Sequence, residues 1–329
     1  MRQQWLKIIF FGVFSITVLG ATLVLWPFKS ALVSVYGVSF NPDHARYLGL
    51  DAMETYRTII REWGFKHVRL PAQWNTIEAV AGVYDFSELD TLMEIAGQEG
   101  VKVMLVIGQK TPRWPECHLP KWIQPGDDAY TSKLQAYMRA VVERYKNNPA
   151  LEMWQVENEP FLKFGECPDI TQQDLEEEIA LVKSSDPDHK IVVTDSGELH
   201  FWQTTARVGD YFGSTLYRIV WNKYLGYTEY SLLPANWYRF KLWLAGRSPA
   251  TAFIIELQAE PWIPDKPLTQ VTVEERSKSL DLAQLKKNIA FADKVGFART
   301  YFWGAEWWYW EAKQGRGEIA EYIKGLKKE

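Results

Sequence analysis

Apolar positions in this chain fall into two alternating rhythms. Short runs in which nearly every residue is apolar, such as 101–107, 151–156 and 252–257, alternate with longer stretches in which apolar residues recur three or four apart. The short runs read as parallel strands buried on both faces, the long stretches as helices with one buried face. Strands are predicted over 32–40, 67–70, 101–107, 151–156, 191–194, 210–217, 252–257 and 300–303. Helices are predicted over 51–63, 87–98, 131–146, 171–185, 199–207, 236–245, 280–295 and 319–326. The helix over 131–146 is the clearest, with Leu134, Tyr137, Met138, Val141, Val142 and Tyr145 on one face. Gly64 and Gly100 close the helices before them. Eight strands alternating with helices predict an α/β fold of the (β/α)8 barrel type, which needs about 250 residues. The connection over 218–234 is rich in Tyr and Trp. It reads either as a wall over the barrel mouth or as a loop packed on the barrel.

The N-terminus breaks this rhythm. Residues 8–28 contain no charged side chain, and a spanning helix needs about 20 residues. Arg2 and Lys7 precede the run; Trp26, Pro27 and Lys29 follow it. This pattern predicts an uncleaved transmembrane anchor in residues 1–30, with its N-terminus inside the cell. The barrel, residues 31–329, would then lie outside the cytoplasm, at the cell surface or in a periplasm. A cleaved signal peptide is the alternative, with Gly20-Ala21-Thr22 as a weak cleavage site. In an oxidising compartment the two cysteines, Cys117 and Cys167, are expected to pair. The competing reading joins Cys117, His118 and Cys167 at a metal. The five histidines show no ligand spacing of the H-E-x-x-H kind, and no cofactor is expected.

Composition narrows the partner. The net charge is −4, and the first thirty residues hold three bases and no acid, so the remainder is more acidic still. That speaks against nucleic acid. Aromatic residues are abundant, with 16 each of Trp, Tyr and Phe. Their faces stack well on the apolar faces of sugar rings.

The chemistry gathers at two strand ends. In Trp154-Gln155-Val156-Glu157-Asn158-Glu159-Pro160 a buried strand opens into a loop that Pro160 forbids from continuing the ladder. In Phe253-Ile254-Ile255-Glu256 an acid closes an apolar run. These are the fourth and seventh strands, which face each other across a barrel mouth. Two facing carboxyls suit acid/base work on a glycosidic bond, and their like charges push the two pKa values apart. Glu157 competes with Glu159, since both point the same way on an ideal strand. Glu260 competes with Glu256 from the loop beyond.

These motifs resemble those of the glycoside hydrolases of clan A, the retaining (β/α)8 enzymes that include cellulase-like and β-galactosidase-like families. The resemblance covers residues 33–326. Asn158-Glu159-Pro160 matches the clan's acid/base motif, and Glu256 its strand-seven nucleophile. The resemblance implies cleavage of O-glycosidic bonds in an oligo- or polysaccharide by double displacement. Asn158 would meet the sugar 2-hydroxyl. Arg69 is similar to the arginine that steadies the nucleophile, Tyr217 to the tyrosine that donates to it, and Trp303 to the aromatic platform beneath the sugar. Trp307, Trp308 and Trp310 follow Trp303 closely. Trp74, Gln109 and Trp114 lie on other strand-end loops as candidate sugar contacts. Two alternatives use the same residues: a non-hydrolytic polysaccharide-binding barrel and an envelope transglycosylase.

Overall fold

A computed structural model describes residues 5, 12, 20, 34–263 and 266–326. Eight parallel strands close into a barrel: β1 Val35–Ser39, β2 His67–Pro71, β3 Lys102–Ile107, β4 Leu151–Val156, β5 Lys190–Asp195, β6 Tyr211–Leu216, β7 Ala252–Gln258 and β8 Arg299–Trp303. Each pairs with the next, and β8 returns to β1 through Val35 opposite Arg299. Seven of the eight fall within a residue of the apolar runs that predict them, as burial on both faces leads one to expect; β1 begins at Val35 within a run predicted over 32–40, whose first two residues lie outside the described ones.

The interior is filled in tiers, as side chains from alternate strands require. At the bottom Arg299 of β8 reaches across to Glu152 of β4, each nitrogen–oxygen pair at 2.6 Å, with His67 alongside at 3.3 Å. Burial alone would raise the Glu152 carboxyl, but these partners hold it down at about 2. Above lies an apolar plug of Met104, Met153, Val192, Phe253, Ile255 and Tyr301. The polar top tier forms the candidate site.

The helices sit outside the barrel with their apolar faces inward. Leu89, Leu92 and Met93 are buried from Ser87–Gln98, and Leu134, Tyr137 and Val141 from Tyr130–Tyr145. Their starts follow local chemistry. Thr171 and Asp174 form a reciprocal cap on Gln172–Ser185, and Asp281 caps Leu282–Val295. Two expectations are corrected, and one element is added. The predicted helix over 199–207 reduces to one turn, Thr205–Val208. The helix predicted over 51–63 runs as an α-helix from Ala52 to Arg57 and then widens into a π-helical stretch, Thr58–Glu62. A further helix, Ala305–Lys313, follows β8 and carries Trp307 and Trp308 into the core.

The Tyr/Trp-rich connection holds an antiparallel hairpin, Ile219–Asn222 with Gly226–Glu229. Gln258, wholly buried at the end of β7, pins its root. The Gln258 amide oxygen accepts from the backbone N–H groups of Arg218 at 2.8 Å and Ile219 at 2.9 Å, and its Nε2 donates to the Ile219 carbonyl. Among the described residues no helix is long and apolar enough to cross a membrane. The predicted anchor over 8–28 lies, apart from Gly12 and Gly20, outside the described residues.

Candidate active site

A cleft of about 850 Å³ opens at the C-terminal ends of the strands. Its floor is organised by Arg69 of β2, which is 1% exposed. The guanidinium of Arg69 donates at 2.7 Å to three oxygens: Gln155 Oε1, Asn158 Oδ1 and Glu256 Oε1. A planar five-donor group suits this fan, which a lysine cannot make. Tyr217, just past β6, donates to the other Glu256 oxygen at 3.0 Å. Glu256 is therefore held from two sides.

Glu159 stands over the same floor. Thr215, directly paired with Glu256 in the β6–β7 ladder, donates to Glu159 Oε1 at 3.2 Å. The Glu159 backbone N–H donates to Thr194 Oγ1 at 2.9 Å, and Lys110 Nζ donates to the Glu159 carbonyl at 3.1 Å. Burial first, and then the charge on Glu256, raises the Glu159 carboxyl well above the usual carboxylate range. A carboxyl whose protonated form is favoured thus stands beside one paired with an arginine.

The competition between Glu157 and Glu159 is resolved by the backbone. Glu157 and Glu159 have φ of +58° and +45°, so the ideal alternation ends at Val156. Glu157 turns beneath the β3 loop, where its two oxygens accept from the N–H groups of Gln109 and Lys110, both at 2.7 Å. Gly108 makes room for it: a Cβ there would lie 2.1 Å from Glu157 Oε1. Glu157 is thus a tie between two loops. Glu260 lies in the cleft wall, paired with Arg113 and 3.6 Å from His44. Burial would raise it, but Arg113 and then His44 hold it at about 2. It makes no hydrogen bond to Arg69 or Tyr217 among the described residues.

The other sequence-selected residues divide. Trp303 lines the cleft, with the Arg113 guanidinium 4.1 Å over its ring. Trp307 and Trp308 are buried, and Trp308 donates to the Ala259 carbonyl at 2.6 Å. Trp114 stands on the rim, 62% exposed. Trp74 is corrected. After Pro71 the chain turns at once into a short helix, Trp74–Ile77, which points the indole into the helix layer against Tyr137 at 5.6 Å. Its neighbour Gln73 lines the cleft instead. Gln109 is also corrected: with its N–H committed to Glu157, its side chain lies buried and accepts from the Tyr130 hydroxyl.

Cys117 and Cys167 form a disulfide with Cα atoms 5.1 Å apart. Both thiols are consumed, which sets aside the metal reading of Cys117, His118 and Cys167. Among the described residues no group of three or more His, Cys, Asp or Glu side chains is placed to hold a metal ion.

Several cleft residues were not selected from the sequence. Arg113 bridges Glu260 and Glu306. Trp262 meets the Tyr217 ring edge-on at 5.4 Å. Glu116 accepts from Asn158 Nδ2 at 3.1 Å. Glu116 adjoins Cys117, and a loop tied down by a disulfide at a strand end was the signal that could have found it.

Comparison with known proteins places this geometry. The sequence is 28% identical over 196 residues to the β-galactosidase BgaA of Clostridium cellulovorans, a match covering 53% of this chain and 29% of that protein. It is 25% identical over 183 residues to mannan endo-1,4-β-mannosidase F of Aspergillus clavatus, covering 47% of this chain and 38% of the relative. The chain thus spans well under half the length of either relative. Among solved structures, GH5_18 from Streptomyces cattleya superimposes with a TM-score of 0.56 at 16% identity, covering 83% of this chain and 71% of that one, a likeness of fold. The profile of the cellulase family, glycosyl hydrolase family 5, matches residues 31–236, more than half of the chain. With a closed (β/α)8 barrel and two strand-end glutamates converging over one arginine, the chain belongs to glycosyl hydrolase family 5.

Proposed function

We propose that the protein is a retaining glycoside hydrolase that cleaves O-glycosidic bonds of an oligo- or polysaccharide, with Glu256 as nucleophile and Glu159 as acid/base. The observation that carries this reading is the paired environment of the two acids. Glu256 is ion-paired to Arg69 at 2.7 Å, and burial and the charge of Glu256 favour the protonated form of Glu159. In the first step Glu256 attacks the anomeric carbon, the bond to the leaving oxygen breaks, and the Glu159 proton passes to that oxygen. In the second step a water attacks the anomeric carbon, gives its proton to Glu159 and releases the Glu256 carboxylate. Asn158 would meet the sugar 2-hydroxyl, and Trp303 would face the ring at the scissile bond. β-Galactosidases and mannanases among the relatives support a β-linked carbohydrate substrate.

We further propose that residues 8–28 anchor the chain in a membrane and that the barrel works outside the cytoplasm. The uncharged run, the flanking Arg2 and Lys7, and a disulfide suited to an oxidising compartment support this.

The hydrolytic reading is tested by Glu256→Gln and Glu159→Gln, assayed by reducing-sugar release. Each should lower turnover by about a thousandfold or more. Undiminished turnover in either variant contradicts the assignment. Binding of oligosaccharides by the unmodified protein without release of product on any linkage would favour a binding barrel, and products longer than the donor would favour transglycosylation.

A further inference from the structure

Of the acids lining the cleft, Glu116 has no part in the double displacement, yet its placement is strongly determined. It is 6% exposed, lines the cleft and adjoins the disulfide at Cys117. Its φ is +71°, in the left-handed region that is uncommon for a non-glycine residue and held only where its surroundings insist. The surroundings do insist. The Glu116 N–H donates to the Arg113 carbonyl at 2.7 Å, and its carbonyl accepts from Thr111 at 2.8 Å. Gly165, across the disulfide-tied loop, is required there: a Cβ at that position would lie 2.6 Å from the Glu116 Cβ.

One Glu116 oxygen accepts from Asn158 Nδ2. The other makes no hydrogen bond among the described residues. A carboxyl more than nine-tenths buried, with an open acceptor facing a substrate cleft, is a group to which a bound ligand can bring a donor in place of water. Burial, and then the charge on Glu256, raises this carboxyl to about 7, and a donor brought to the open oxygen would favour its charged, accepting form. Asn158 is the residue that meets the C2 substituent in the hydrolytic reading. Glu116, bonded to the same amide, borders the same position.

We propose that Glu116 is a specificity-determining residue that accepts a hydrogen bond from the C2 substituent of the glycone. The cleft would thereby select glycosides whose C2 bears a hydroxyl or amine over those whose C2 bears no donor. This rests on the reading of Asn158 and Glu159 given above.

The test uses the full chain and paired 4-nitrophenyl β-glycosides (glucoside, galactoside, mannoside, xyloside), each beside its 2-deoxy counterpart. Nitrophenol release and calorimetric affinity are both measured for the unmodified protein, Glu116→Gln and Glu116→Ala. The glutamine keeps an amide oxygen for Asn158 but turns an NH₂ group toward the ligand, so a merely structural role is rescued by Gln and a C2-reading role is not. Intrinsic reactivity at C2 cancels in the ratio of 2-hydroxy to 2-deoxy rates compared between enzymes. That ratio, or the corresponding ratio of affinities, should fall by about tenfold or more in both variants. An unchanged ratio in Glu116→Gln, or no C2 preference in the unmodified protein, overturns the proposal. Binding that shows the C2 preference without nitrophenol release sinks the hydrolytic reading and leaves Glu116's role standing.

Discussion

Arg69 shows how one side chain sets the character of those around it. Its three 2.7 Å hydrogen bonds fix Gln155, Asn158 and Glu256 at once, so the nucleophile candidate and the residue preceding the acid/base candidate share a single scaffold. Fixing the Glu256 carboxylate beside Glu159 has an electrostatic consequence: after burial, the Glu256 charge is the largest contribution raising Glu159. An acid catalyst works only while protonated, so activity should fall as pH rises through the raised Glu159 value. In Glu256→Gln the repelling charge is gone, and Glu159, followed by carbon NMR of labelled glutamate, should titrate at a lower pH than in the unmodified protein. An unmoved titration would mean that burial and the other nearby acids, Glu116 and Asp195, set it without Glu256. Glu256 stood out in the sequence because it follows an apolar run, and Glu159 because Asn158 and Pro160 flank it in the motif that resembles the clan's acid/base site. Trp74 and Gln109 were misread because a strand-end address does not reveal which way the following turn aims a side chain. Glu116 was missed for a related reason: its position depends on a left-handed backbone that no periodicity announces.

At the scale of elements, the site is assembled by loops more than by strands. The β3 and β4 loops are joined by several ties, side-chain, backbone and covalent. Glu157 binds the N–H groups of Gln109 and Lys110, Lys110 Nζ binds the carbonyls of Glu159 and Leu162, and Cys117 is bonded to Cys167. The disulfide closes a stretch of 50 residues, a long loop whose freedom in the unfolded chain is thereby restricted. Cys117→Ser with Cys167→Ser should lower unfolding stability by about 2–4 kcal/mol, measured by denaturant titration without reductant. Because the tie also places Glu116 and Trp114, the same variant should bind substrate more weakly; equal stability and equal KM would show the bond to be idle. The strands and main helices were legible from their two periods. The hairpin at 219–229 was not, because its half-buried residues alternate too weakly to stand out from a loop, and the helix Ala305–Lys313 was hidden by a cluster of tryptophans that reads equally well as a platform.

At the scale of the whole molecule, barrel closure is what brings together residues as distant as Arg69 and Glu256. The ring order places β2, β4, β6 and β7 around one mouth, and the polar tier above the apolar plug is where their ends converge. This much followed from counting eight strand–helix repeats: doubly-wound sheets share the alternation, but eight is the number that closes a (β/α)8 ring. The N-terminal run belongs to the same scale. Full-length protein should partition with the membrane fraction and resist extraction by carbonate, whereas a chain lacking residues 8–28 should be recovered in the soluble fraction. Full-length protein released by carbonate would contradict the anchor. The central claim, that Glu256 attacks the sugar while Glu159 supplies and recovers the proton, is tested most directly by trapping the glycosyl-enzyme. The protein is incubated with an activated 2-deoxy-2-fluoro form of whichever glycoside it hydrolyses, digested, and mapped by mass spectrometry. The account predicts one added sugar, on Glu256; a sugar on Glu260 or Glu159, or a product of inverted anomeric configuration with no adduct, would contradict it.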